Sequence, residues 1–169
     1  MIGLSIRPET PDDLEAIQTV HRLAFDGDEE ARLVDALRAE GYARASLVAE
    51  AEGRVIGHIM FSDLPILTPD ATIPALSLAP LAVIPENQRQ GVGSALVREG
   101  LQFCRTHGHR IVVVLGHPEF YPRFGFSSQL AARLKSPYSG EAFMAMELVT
   151  GALGGVEGEV CYPPPFTMV

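Results

Sequence analysis

Apolar residues alternate with polar ones, or recur at helical spacing, along most of the chain, and this pattern predicts a definite order of elements. Residues 4–7 alternate and are predicted to form a strand. Thr10 and Pro11 favour a helix start, and apolar residues within 14–25 recur on one helical face. A second helix is predicted after this one and ends at Gly41. The N-terminal part is therefore expected to hold one strand followed by two helices.

The middle of the chain is predicted to add further strands. Residues 46–51 and 54–61 flank a Glu-Gly pair, which predicts an antiparallel hairpin. Residues 62–74 contain three prolines and are expected to be a loop. Residues 76–84 form an apolar strand that includes Pro80. Because proline has no N–H to donate to a neighbouring strand, Pro80 predicts a bulge or a point where two strands separate.

The last third of the chain begins with a helix and a buried strand. Residues 91–107 carry apolar positions at helical spacing, and residues 111–115 are wholly apolar, as in a strand covered on both faces. This order predicts a parallel, right-handed crossover between strands 76–84 and 111–115. Residues 142–149 are predicted to be a further strand with residues 156–162 beside it, and a loose tail over 150–169 is the alternative.

Composition and charge narrow the class of protein. The 169 residues include 13 Lys and Arg against 21 Asp and Glu, a net charge of -8, which argues against a nucleic-acid partner. No apolar run reaches the roughly 18 residues of a membrane helix, and the first residues lack the features of a signal peptide. The spacing of Cys104 and Cys161 indicates neither a disulfide framework nor a metal site. A single cytoplasmic domain over 1–169 that handles small molecules, without a membrane partner, is expected.

The segment from residue 81 to residue 96 carries the clearest chemical signal. A buried strand ends at Pro85, a short polar loop follows, and Gly91 and Gly93 open a helix. The unpaired N–H groups and dipole of a helix start, approached closely at glycines, are suited to a phosphate. No Gly-Lys-Ser/Thr follows, and Leu96 stands where a dinucleotide site has its third glycine. Glycines that serve only a tight turn are the alternative.

This segment resembles the acetyl-CoA-binding core of the GNAT superfamily of N-acetyltransferases. Residues 88–93, Gln-Arg-Gln-Gly-Val-Gly, are similar to the family's Gln/Arg-x-x-Gly-x-Gly/Ala, and Leu-Ala-Val-x-Pro precedes them at 81–85. Residues 120–126 match an aromatic segment that ends in Gly-Phe. The resemblance implies an α/β (α+β mixed) fold with a central, mostly antiparallel, mixed sheet. That sheet would have six to seven strands, a parallel β-α-β core and about four flanking helices.

The resemblance also implies a mechanism, in which an acetyl group passes from acetyl-CoA to a primary amine of a small molecule by direct attack in a ternary complex. The implied cofactor contacts are Leu81, Ala82, Val83, Gln88, Arg89, Gln90, Gly91, Val92, Gly93 and Ser94. Backbone N–H groups of 88–94 would hold the pyrophosphate, and the N–H of Val83 would polarise the thioester carbonyl. Arg89 is either a further phosphate contact or a solvated loop residue.

Tyr121 stands where the family has a tyrosine that gives a proton to the departing thiolate. The alternative is an aromatic residue of the core or of a lid. The family often has an asparagine shortly before this tyrosine, and residues 116–119 here, Gly-His-Pro-Glu, have none. Contact between the cofactor and a side chain of this turn is therefore not expected.

The general base and the acceptor stay open at this stage. The possible bases are His117, Glu141, His58, Glu50 or a chain of water molecules. The acidic group Asp26, Asp28, Glu29 and Glu30 either caps a helix or attracts a cationic acceptor. Two alternatives to a small-molecule acceptor are a protein or peptide amine and a non-catalytic module that binds acyl-CoA. The sequence does not indicate an oligomeric state.

Overall fold

The computed structural model describes residues 3–138 and 140–168, which contain three α-helices and ten strands. The α-helices are α1 (Leu14–Phe25), α2 (Glu29–Ala39) and α3 (Val92–Thr106). The strands are β1 (Leu4–Pro8), β2 (Ala43–Ala51), β3 (Arg54–Asp63), β4 (Ile66–Leu67), β5 (Thr72–Ile73), β6 (Leu76–Val83), β7 (Ile111–Leu115), β8 (Leu134–Lys135), β9 (Phe143–Glu147) and β10 (Gly158–Val160). Among the described helices, none has the length and apolar character needed to cross a membrane.

Six strands form the central sheet in the order β1-β2-β3-β6-β7-β9. Neighbouring strands are antiparallel except β6 and β7, which are parallel and connected by α3. The predicted mixed sheet with a parallel β-α-β core is therefore confirmed. The described residues hold three α-helices instead of about four, because the remaining helical segments are single 3₁₀ turns such as Pro11–Asp13 and Tyr121–Phe124.

The helices cover both faces of this sheet. Phe61 of β3 lies against Gly100 of α3, where a Cβ on the glycine would come within 2.5 Å of the ring. On the opposite face, Val48 of β2 and Met60 of β3 pack with α1 and α2. Since successive side chains of a strand point to opposite faces, the central strands are buried on both sides.

A second, smaller sheet corrects two predictions. Its order is β5-β4-β10-β8, so residues 62–74 are not a plain loop but contain a short hairpin. Residues 156–162 do not return beside β9, because β10 pairs with β4 and β8. Ser127 already occupies the outer edge of β9 through two backbone hydrogen bonds with Ala145, at 2.9 and 3.0 Å. Gly158 fits β4 because any Cβ there would come within 2.3 Å of the carbonyl oxygen of Leu67.

The central sheet opens between β6 and β7. The two strands pair only at Leu76 with Val112 and at Ser77 with Val113. Beyond Ser77, β6 continues to Val83 with β3 as its neighbour, and β7 diverges from it. The pairing ends three residues before Pro80, so the predicted separation of strands near this proline is confirmed. The gap creates an open strand edge inside the sheet.

Candidate active site

The open edge of β6 exposes the backbone of alternate residues. Ile84 donates its N–H to the carbonyl of Ile56 on β3 at 2.9 Å, and Ala82 faces β3 in the same register. Because backbone groups of an antiparallel strand alternate in direction, the N–H groups of Leu81 and Val83 point into the gap. Of the three predicted strand contacts, Leu81 and Val83 therefore line the open edge with their backbone, while Ala82 is bonded to β3.

The loop between β6 and α3 presents a row of backbone N–H groups. Arg89 and Gly91 have φ angles of 63° and 85°, in the left-handed region that favours glycine. Over 89–94, no N–H group donates to an acceptor within the described part of the chain. The side chain of Val92 is buried and fixes the helix start on the core. Unpaired amides at the positive end of a helix dipole form a site suited to phosphate.

The side chains of this loop stabilise its conformation. Gln88 Nε2 donates to the carbonyl of Val83 at 2.8 Å, which ties the loop to the end of β6. Gln90 Nε2 donates to the carbonyl of Glu86 at 3.3 Å. Arg89 is exposed. The glutamines therefore stabilise the loop, and its backbone is left available for an anion.

A cavity of about 500 Å³ lies at the gap between β6 and β7. One side is formed by the two diverging strands and the turn after β7, and the other by α1, α2 and the C-terminal part of the chain. The lining residues are Phe25, Glu30, Leu33, Ser77, Leu78, Ala79, Pro80, Leu81, Leu115, Gly116, His117, Phe120, Tyr121, Tyr138, Tyr162 and Phe166. The cavity thus contains both the open edge at Leu81 and Tyr121.

Tyr121 is held firmly in the cavity wall. Its side chain packs so closely on Gly116 that a Cβ there would lie 2.3 Å from Cε2 of the ring. Phe120 and Phe126 contact it edge-on, with ring centroids 5.0 and 5.7 Å away. Tyr121 is 8% exposed, and this burial raises the pKa of its phenol to about 12. The phenol is therefore protonated at neutral pH and available as a donor.

The structure separates the four side chains predicted as possible bases. His117 is exposed and lines the cavity next to Tyr121, whose N–H donates to the His117 carbonyl at 3.3 Å. Glu141 is exposed but does not line the cavity. Glu50 forms an ion pair with Arg7 at 2.8 Å, away from the gap. His58 is fully buried in the sheet.

Glu30 is a cavity residue that the sequence did not single out from its acidic neighbours. It lies in the first turn of α2 and lines the cavity together with Leu33, about one turn further along the helix. The signal was present in the sequence, because residues three apart on a helix share a face and Leu33 belongs to the buried face of α2.

A buried polar network crosses the opposite side of the sheet. Burial opposes ionisation of Glu9, but hydrogen bonds from Arg38 and Ser46 outweigh it and lower the pKa of Glu9 to about 2, so this carboxylate only accepts. The Ser46 hydroxyl donates its hydrogen to Glu9. The Ser46 Oγ atom therefore accepts a hydrogen bond from His58 Nε2 at 2.7 Å. His58 Nδ1 then accepts from His21 Nε2 at 2.8 Å. Both histidines are consequently neutral.

Three comparisons identify what this arrangement is similar to. The family model described as an acetyltransferase (GNAT) domain matches residues 5–128. The uncharacterized N-acetyltransferase YhbS of Escherichia coli K12 is 40% identical over 166 residues, which cover 95% of this chain and 97% of YhbS.

Two solved structures agree with these matches. A crystal structure of Escherichia coli YhbS in complex with CoA has a TM-score of 0.91 at 36% identity. The match covers 99% of this chain and 93% of the YhbS chain. A GNAT acetyltransferase from Brucella melitensis in complex with acetyl-CoA has a TM-score of 0.81 at 34% identity, with 98% and 99% covered. The chain therefore belongs to the GNAT family and is an N-acetyltransferase.

Proposed function

We propose that this protein transfers an acetyl group from acetyl-CoA to a primary amine of a small molecule by direct attack in a ternary complex. One observation carries the proposal: the open edge of β6 runs from the unpaired amides of 89–94 into the cavity that contains Tyr121. A phosphate site, a strand edge and a proton donor therefore follow one another along a single path. The complexes of the two relatives with CoA and acetyl-CoA support the same use of this path.

The carrier half of the substrate binds to backbone groups. The pyrophosphate accepts hydrogen bonds from the N–H groups of 89–94, and the pantetheine arm lies along β6 as an added strand. Arg89, which is exposed beside these amides, adds a secondary contact. Gln88 acts indirectly, since its side chain holds the loop on Val83.

The thioester carbonyl is polarised by a backbone N–H at the gap. The sequence favoured Val83 for this part, but Leu81 lines the cavity, whereas Val83 lies near the helix start, where its Cγ2 is 3.9 Å from a Cβ built on Gly93. We assign the carbonyl to the N–H of Leu81 and a pantetheine contact to Val83. A fixed N–H at the developing oxyanion stabilises the transition state without reorganisation.

Two proton transfers complete the reaction. The amine nitrogen attacks the acetyl carbon, the carbon–sulfur bond breaks, and the sulfur leaves as a thiolate that takes the phenol proton of Tyr121. His117 accepts the proton that the amine loses, because it lines the cavity and the other proposed side-chain bases do not. Tyr121 regains its proton from solvent before the next turnover.

The experiment is thiol release from acetyl-CoA by the purified protein, measured with a panel of primary amines. We expect amine-dependent release of one CoA for each acetylated product detected by mass spectrometry. In the same assay, His117→Gln should lower kcat by about 100-fold, the range of a lost general base, and leave the dissociation constant for acetyl-CoA unchanged. Tight binding of acetyl-CoA without turnover on any amine would instead identify a non-catalytic acyl-CoA-binding module.

A further inference from the structure

We infer that the acceptor is a monoamine whose single ammonium group is attached to an aromatic or similarly apolar body, the chemical class of the arylalkylamines. This inference rests on the proposed acetyl transfer and extends it to the acceptor. It follows from the charge and the walls of the cavity.

The charge of the cavity indicates one cation. Within the described residues, Glu30 is the only carboxylate that lines the cavity, and no lysine or arginine lines it. The other ionisable side chains in its wall are His117 and the tyrosines. Glu30 is half-buried and forms no ion pair with any residue in 3–138 or 140–168. A half-buried carboxylate with no cation beside it pairs well with the ammonium group of an arriving acceptor, which then loses one proton to water before its neutral nitrogen attacks.

The walls indicate an apolar body. Six aromatic side chains line the cavity, and three of them, Tyr138, Tyr162 and Phe166, form a continuous edge-on series with centroids 5.4 and 5.3 Å apart. Aromatic rings pack well on another ring. A polyamine would bring further ammonium groups into the cavity, whose walls hold no second carboxylate within the described residues.

The continuous aromatic wall of the acceptor side is made by a part of the chain outside the region shared with the family model, whereas Glu30 lies within that region. That region ends at residue 128, whereas Tyr138, Tyr162 and Phe166 follow it. The second sheet holds this segment in place, since β10 pairs with β4 and β8 just before Tyr162. The acceptor wall is therefore a property of this chain's C-terminal part, while the carrier site lies in the common region.

The test compares kcat/KM for 2-phenylethylamine, spermidine and a lysine peptide in the thiol-release assay. We expect 2-phenylethylamine to exceed both others by about tenfold or more, equivalent to one favourable ring or charge contact. Glu30→Gln should raise KM for 2-phenylethylamine about tenfold and leave KM for acetyl-CoA unchanged, while the exposed neighbour Glu29→Gln changes neither. Tyr138→Ala should raise KM for 2-phenylethylamine more than KM for propylamine.

The outcomes separate the two proposals. Preference for spermidine or the lysine peptide overturns the monoamine acceptor and leaves acetyl transfer intact. An unchanged KM in Glu30→Gln, with the variant folded by circular dichroism, also overturns it. Absence of turnover on every amine, with acetyl-CoA bound, overturns the proposed function and the acceptor class together.

Discussion

At the scale of single residues, the surroundings of Tyr121 decide what its phenol can do. Gly116, Phe120 and Phe126 enclose the ring, and the resulting desolvation raises the pKa of the phenol to about 12. An ordinary phenol has a pKa near 10. Tyr121 is thus kept in its protonated form, and in the proposed reaction it is a hydrogen-bond donor to the thiolate whose raised pKa increases the cost of full proton transfer.

Tyr121→Phe should lower kcat by about 100-fold or more, since a positioned acid contributes on that order, while acetyl-CoA binding changes less than about twofold. The ring and its packing are retained, so the fold is unaffected. The measurements are steady-state kinetics and calorimetric titration with acetyl-CoA. Tyr42→Phe, outside the cavity, is the matched control. A kcat within about twofold of the wild-type value would exclude Tyr121 as the acid.

At the scale of elements, the strand–loop–helix unit from β6 to α3 forms the proposed carrier site. Its amides point outward because Gln88 holds the loop on β6 and Val92 holds the helix start on the core. A Cβ on Gly91 would meet no atom within 4 Å, so space there is open to a ligand. The site therefore depends on backbone shape more than on side-chain charge.

Gly91→Glu should weaken acetyl-CoA binding by about 100-fold or more, because a carboxylate would face the pyrophosphate from a strained φ of 85°. Strain alone costs roughly 1–2 kcal/mol of stability. Gly53→Glu, at a φ of 77° in the β2–β3 turn, carries the same strain away from the site. Titration calorimetry on both variants separates the two effects. Equal binding by the two variants would show that the pyrophosphate does not lie at Gly91.

The backbone geometry of the proposed carrier site could be anticipated from sequence because it is local, whereas its binding of acetyl-CoA stays a prediction. Residues 81–94 are contiguous, and the directions of their backbone groups follow from one strand and one helix start. The acceptor cavity is different, since Phe25, Glu30, His117 and Tyr162 come from distant segments and meet only through tertiary packing. The second sheet was missed for a related reason: its strands are two or three residues long and carry too little periodicity to detect.

At the scale of the whole molecule, the buried pair His21 and His58 connects α1 to the sheet and makes stability depend on pH. Burial is the main cause that lowers the pKa of both groups, and brings that of His21 to about 3. An unfolded histidine has a pKa near 6.5 and takes up a proton below it, which the folded protein does not. The contribution of the two neutral histidines to the free energy of unfolding is therefore complete above pH 6.5. It decreases as the pH falls towards the pKa that each histidine has in the folded protein.

Between pH 7.5 and 5.5, the free energy of unfolding should decrease by about 1.4 kcal/mol because of His21, and His58 adds to the decrease in the same direction. Urea denaturation at several pH values measures this slope. His21→Phe should remove the contribution of His21, and His107→Gln, at an exposed position, should leave the slope unchanged. An identical slope in His21→Phe and the wild-type protein would show that His21 does not stay neutral.

The gap between β6 and β7 also bears on strand pairing between chains. An outer strand with free amides is a template for pairing with other chains. Here the free amides of β6 lie in the interior of the sheet, with β7 diverging opposite them and helices above and below. Because β6 is not an outer strand, its unpaired amides are shielded by these neighbours from the edge-to-edge pairing that promotes aggregation.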